Sequence, residues 1–252
     1  PLPLGLLRND RSILTTNEWT LLSNFLHAFE ERIPSMRIQN SLNELSSLPP
    51  KLRLKPSELV SLVHDLYSSI VPLIESTPDF HYLPIHGRQV LIKYNLYISA
   101  AMNGLFLCRE LNLIHNMNVL NSYTQFYGSE FVMDCSQNIA RYDSNGNLIK
   151  IFIFILAFSS NCSIVKYDNQ VDISIMSSSI NLVHIQNVYV TMLWKYLVYL
   201  YGFKEAILRF TRLVKNAVDL ISTLNRTPQS ETRNRMMGTI VTETERILVI
   251  DD

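Results

Sequence analysis

The sequence predicts an all-α protein, a helical body with one small β-hairpin. Three observations predict it. Glycine accounts for only 7 of 252 residues, where about 7% is usual, while Leu, Ile, Asn and Ser are abundant. Hydrophobic residues make up 47% of the chain and charged ones 17%, against about 25% charged in typical soluble domains, so the chain can bury a substantial core. Apolar residues also recur at three- and four-residue steps over several long segments, the period of a helix with one buried face.

The elements follow in order. Residues 1–10 form an irregular lead-in or the end of a hinge, and 11–252 form the helical domain. Thr15-Thr16-Asn17-Glu18 is a capping box, with Thr15 as N-cap and Glu18 three positions on. Trp19, Leu22, Leu26 and Phe29 then mark a first amphipathic helix ending near Pro34. Prolines 34, 49, 50 and 56 break any long element up to Pro56, which suits the first turn of the next helix. Leu59, Leu62, Val63, Leu66, Ile70 and Leu73 form its apolar face, with a bend expected near Pro72. Thr77-Pro78-Asp79 interrupts the pattern, and a further helix runs from Pro84 through Leu91, Ile92, Leu96 and Ala100 toward Arg109.

Asp143-Ser144-Asn145-Gly146, between short apolar stretches, predicts the β-hairpin, since Asn-Gly supplies the turn. A calcium loop is excluded because the glycine is misplaced and the closing glutamate is missing. A buried apolar segment at 149–165, a long helix from about Val188 to Leu224, and a short helix within 239–252 complete the chain.

Several classes of function are excluded. A net charge of zero, from 22 basic and 22 acidic residues, together with high hydrophobicity, is incompatible with disorder and gives no basic footprint for nucleic acid. The run Ile151–Phe158 is shorter than the ~20 residues needed to cross a bilayer, and Lys195 interrupts the apolar stretch 188–203; no membrane partner is expected. Cys108, Cys135 and Cys162 are odd in number and lack CxxC spacing, which gives neither a disulfide framework nor a zinc module. His81 and His86 have no nearby cysteine or paired carboxylate, so no metal and no cofactor is expected. The common catalytic motifs are absent, and no catalytic residue is assigned.

One segment carries a family pattern. Leu73-Ile74-Glu75, Phe80, Leu83, Gly87-Arg88 and Leu91-Ile92 resemble the signature of the nuclear hormone receptor ligand-binding domain, which joins its third and fourth helices. Leu73 stands where the family has an aromatic residue, and Gly87-Arg88 stands for Asp-Gln. The stretch Met192–Gly202 is similar to the long tenth helix of invertebrate members. The resemblance implies a three-layer antiparallel α-helical sandwich, whose middle layer is apolar nearly all round.

It also implies sites. A ligand pocket for a small apolar molecule would be lined by Leu59, Leu62, Val63, Leu66, Leu96, Tyr97, Ala100, Ala101, Gly104 and Leu107. Leu66 and Leu107 stand where relatives place a polar anchor and an arginine, so the pocket takes an apolar ligand or is filled by its own side chains. A coregulator groove would involve Val71, Glu75, Arg88, Gln89, Ile92 and Lys93. Glu75 replaces the family's lysine, and residues 239–252 lack its final-helix pattern, so docking of a standard leucine-rich peptide is not expected. Tyr199, Lys204, Arg209 and Arg212 would contribute to a homo- or heterodimer surface. The implied function is a nuclear, ligand-binding or orphan regulatory module of a transcription factor, touching DNA only through a separate domain. A helical protein-interaction scaffold without a pocket, and a helical enzyme without a readable motif, are the alternatives.

Overall fold

The computed structural model describes residues 13–32, 64–159, 173–226 and 238–244, together with residues 39, 40, 61, 235 and 246. Among the described residues the secondary structure is helical, with no strand. Helix α1 spans Thr16–Arg32 and begins as the capping box requires. Glu18 accepts hydrogen bonds from the Thr15 N–H at 2.7 Å and its hydroxyl at 2.9 Å, while the Glu18 N–H donates to Thr15 Oγ1 at 3.3 Å. Leu22, Phe25 and Phe29 form its buried face.

Residues 64–68 are helical, and α2 continues the path over Ile70–Glu75. Ser69 between them keeps a helical backbone, φ −60° and ψ −22°, and its N–H donates to Asp65 O at 3.1 Å; Pro72 has no N–H for the carbonyl one turn back. A single turn, α3, covers Pro78–His81, and α4 runs from Ile85 to Glu110. A 3-10 turn at Leu113–His115 leads to α5 (Met117–Tyr127) and α6 (Ser129–Ala140).

The hairpin expected around Asn145-Gly146 is replaced by a helix start. Asn145 is the N-cap of α7 (Gly146–Ala157), and its side chain accepts from the Asn147 N–H at 3.1 Å. Asp143 Oδ1 accepts from the Asn145 N–H at 2.8 Å. The same Asx chemistry serves a hairpin turn or a helix cap. The following run decides between them: Ile151–Ala157 is buried on every side, whereas a half-buried strand would alternate.

The long late helix also differs from expectation. The helical run Ile173–Arg226 contains Gly202 at φ 74°, ψ 166°, a conformation that costs glycine little. Trp194 and Phe210 lie eight residues to either side of it. On one straight helix they would stand about 24 Å apart. Their ring centroids are 6.0 Å apart, and Trp194 also meets Phe203 at 5.8 Å. The chain therefore folds back at Gly202, giving two arms, α8 (173–201) and α9 (203–226). The stretch Met192–Gly202 ends the first arm instead of lying inside one long helix.

The core runs through all these elements. Helix α4 packs against α2, α6, α7 and the α8–α9 run, and α7 packs against α1, α4 and the same run. Because α4 is covered on most sides, its interior carries a buried polar stripe, Asn95, Ser99 and Asn103, at four-residue spacing. Asn95 donates to the Ala157 and Ser159 carbonyls, Ser99 to the Asn95 carbonyl, and Asn103 to Leu66 O and Ser69 Oγ. The stripe thus ties α4 to the end of α7 and to the 64–75 helical path. Residues 238–244 form a further helical stretch, with Ile240 buried in the core.

Candidate functional site

The expected pocket begins with residues of the 64–75 path and α4. Leu59, Leu62 and Val63 lie outside the described residues. Leu66, Leu96, Ala100, Ala101, Gly104 and Leu107 are buried, and Tyr97 is half-buried. Three of them, Leu66, Ala101 and Gly104, come together around an apolar void of about 30 Å³. The rest of its wall is Tyr67, Leu105, Cys108, Tyr123, Tyr127, Phe131, Cys135, Leu220 and Leu224, from α4, α5, α6 and α9 as well as the 64–75 path. A second apolar void of about 50 Å³ lies beside it and shares Leu105, Cys108, Tyr123, Phe131 and Cys135. Leu96, Tyr97, Ala100 and Leu107 line neither void.

Aromatic rings pack around these voids. Tyr123 stacks on Tyr127 at 5.7 Å and Tyr127 on Phe131 at 4.7 Å, while Tyr67 tilts against Tyr97 at 6.4 Å. Ligand sites typically enclose ~300–1,000 Å³; these two voids, at about 30 and 50 Å³ among the described residues, are far smaller. The Tyr123–Tyr127–Phe131 row repeats every four residues, a helical spacing legible in the sequence. That it faces α4 follows only from the packing of α5 and α6.

Burial favours the neutral forms of the thiols and phenols in this wall. Burial pushes the Cys108 thiol up to about 12 despite its hydrogen bond with Tyr123. Burial likewise raises Cys135, Tyr67 and Tyr123 far above their ordinary values. Neutral thiols are poor nucleophiles and poor metal ligands. Cys108 and Cys135 are both free, and among the described residues no cluster of His, Cys, Asp or Glu is arranged to hold a metal ion.

The residues expected at the coregulator groove differ in exposure. Val71 and Ile92 are core residues, Glu75 and Gln89 are half-buried, and the Lys93 side chain lies outside what is described. Arg88 donates from Nε to Leu83 O and from a terminal nitrogen to His81 O, both at 2.9 Å, with its guanidinium over the Phe80 ring. It thus holds the α3–α4 junction, where Leu73, Ile74, Phe80, Leu83, Leu91 and Ile92 are all buried. Tyr189 reinforces this junction by donating to Asp79 at 2.6 Å.

Of the expected dimer residues, Tyr199, Lys204 and Arg212 are exposed. Tyr199 also packs edge-on against Trp19 of α1 at 5.4 Å. Arg209 is engaged within the chain. It binds Asp143 at 2.6 Å and Glu205 at 2.9 Å, and its guanidinium lies 3.9 Å from the centre of the Tyr201 ring. Beyond Arg212, the exposed side of α9 presents Phe203, Ile207, Leu208, Val214 and Val218. Among the described residues, no helix is long and apolar enough to cross a membrane. No protein-family model matches the chain, and no curated protein matches it in sequence.

Proposed function

We propose that this chain is a regulatory domain of the nuclear hormone receptor ligand-binding type, acting as an orphan whose pocket is filled by its own side chains. One observation carries the reading. Leu66, Ala101 and Gly104, which the signature assigns to the pocket, meet around one small, mainly apolar void lined by aromatic rings from α5 and α6. The buried signature residues at the α3–α4 junction support it. So does the packing of α4 against α2, α6, α7 and the α8–α9 run, and of α7 against α1, α4 and the same run, which we take as the middle of a three-layer antiparallel sandwich. In this reading the domain works in the nucleus through coregulators and a homo- or heterodimer partner. It reaches DNA through a separate module and performs no catalysis. Glu75, Arg88, Gln89 and Lys93 would face the coregulator, and Tyr199, Lys204 and Arg212 the dimer partner.

The test is to fuse the chain to an unrelated DNA-binding module and measure a reporter gene carrying that module's site. An orphan regulatory domain changes reporter output several-fold without added ligand. The small void volume also favours a helical scaffold that binds proteins without regulating transcription. Unchanged output from a stable, nuclear fusion would select that second reading and refute the first.

A further inference from the structure

We propose that Ser144 is a phosphorylation site whose phosphate is received by a cationic cleft built into the fold. The cleft encloses about 490 Å³ between residues 140–144 and the 209–216 segment of α9. Its walls carry four cations, Arg141, Arg209, Arg212 and Lys215, and one carboxylate, Asp143. Arg141 and Lys215 both bind the Asp219 carboxylate, at 3.0 and 2.7 Å, so one acid serves two bases. Arg209 is held by Asp143 and Glu205. Arg212 is exposed, and no carboxylate pairs with it among the described residues. The cleft therefore holds one cation more than the acids that serve it, and that cation is the unpaired one.

Ser144 is exposed and lines this cleft. It stands one residue before Asn145, the N-cap of the 12-residue helix α7. A doubly charged phosphate there would meet an arginine cluster, the setting in which a phosphorylated side chain gains charge-assisted hydrogen bonds, and the four cations outweigh the repulsion of the adjacent Asp143 carboxylate, itself held by Arg209. Arg141, three residues before Ser144, supplies the basic residue that an arginine-directed kinase reads. In the reaction the Ser144 Oγ attacks the γ-phosphorus of a nucleoside triphosphate. The bond from that phosphorus to the bridging oxygen breaks, the diphosphate leaves, and the hydroxyl proton passes to the kinase's base. The new anion then recruits Arg212 and draws Arg141 and Lys215 from the shared Asp219, fastening the 141–145 loop to α9.

The experiment uses the full chain with phosphoserine installed at position 144 during synthesis and follows its phosphorus resonance against pH. An exposed phosphoserine has its second pKa near ~6. Within the cleft it is expected at least about half a unit lower, because neighbouring cations favour the dianion, and Arg212→Ala should return it toward the exposed value. A phosphate that titrates as an exposed group, or one indifferent to Arg212→Ala, overturns the proposal. In a second arm, the unmodified folded chain is incubated with an arginine-directed kinase and ATP. Incorporation that disappears in Ser144→Ala supports the proposal, and no incorporation at Ser144 overturns it. In a third arm, the unmodified chain is titrated with inorganic phosphate. Saturable binding at the cleft, combined with an unshifted phosphoserine, would show that the cleft takes a free anion, and the proposal would fall.

Discussion

Leu66→Ala probes the proposed filled pocket directly. Leu66 is 1% exposed and forms one wall of the 30 Å³ void. Removing its outer carbons forfeits about 2 kcal/mol of transfer free energy. If the aromatic rings hold their positions, the vacated space, roughly 70 Å³ joined to the existing void, at ~24 cal/mol per Å³ adds about 1.7 kcal/mol. The expected loss is therefore about 4 kcal/mol, read from urea unfolding at an unchanged slope. Cavities of comparable size, ~150 Å³, lined by apolar side chains stay dry and bind benzene or xenon. Benzene should accordingly raise the melting temperature of Leu66→Ala and leave that of the parent chain unmoved. A loss under about 1.5 kcal/mol, below the usual Leu→Ala range, would mean that the rings collapse into the gap. A parent chain that already responds to benzene would mean that the pocket is open. Either result refutes the reasoning.

Four further outcomes follow from the same contacts. A methyl group added at Gly104 meets only Tyr67 Cε2, at an ordinary 3.7 Å; Gly104→Ala, inside α4, should therefore stabilise by about 1 kcal/mol, seen as a higher denaturation midpoint. Asn145→Ala removes the α7 cap and should cost about 1 kcal/mol in the same assay. At Glu18, burial raises the carboxyl pKa, but hydrogen bonds from Lys195 and Thr15 outweigh it and hold the pKa below its ordinary 4.5. A lowered folded pKa means that this stabilisation is complete above the unfolded value and fades as pH falls through the folded one, so Glu18→Gln should flatten the acid limb of a stability–pH profile below about 4.5. A leucine-rich coactivator peptide should bind weakly or not at all, because in the proposed groove Glu75 would stand where a base meets the negative C-terminal end of a bound helix; micromolar affinity by calorimetry would count against this.

Local signals were legible in the sequence. Thr15 and Glu18 satisfy each other within one turn, and Pro84 starts α4 on its own conformational preference. The features that were not legible depend on distant partners. Asp143, Asn145 and Gly146 fit a hairpin turn as well as a helix cap, and the choice rests on how completely α7 is enclosed by α1, α4 and the α8–α9 run. Gly202 sits inside a long apolar period, which says nothing of a reversal until Trp194 finds Phe203 and Phe210. Asn95, Ser99 and Asn103 look like a solvated stripe on α4, yet they are buried because the carbonyls of Ala157, Ser159 and Leu66 come to meet the two asparagines. In the candidate site, Leu66, Ala101 and Gly104 are three of the ten residues the resemblance names, and they line one void. The rings that close the void come from α5 and α6, whose docking the signature does not cover.

The central claim is a receptor-type domain with a pocket filled from within. Native mass spectrometry of the intact chain tests it most directly, with the chain taken straight from eukaryotic cells and again after exposure to steroids and long-chain carboxylates. The account predicts the bare mass of the chain under both conditions. A stoichiometric small-molecule adduct, lost when the Leu66–Gly104 wall is altered, would contradict it.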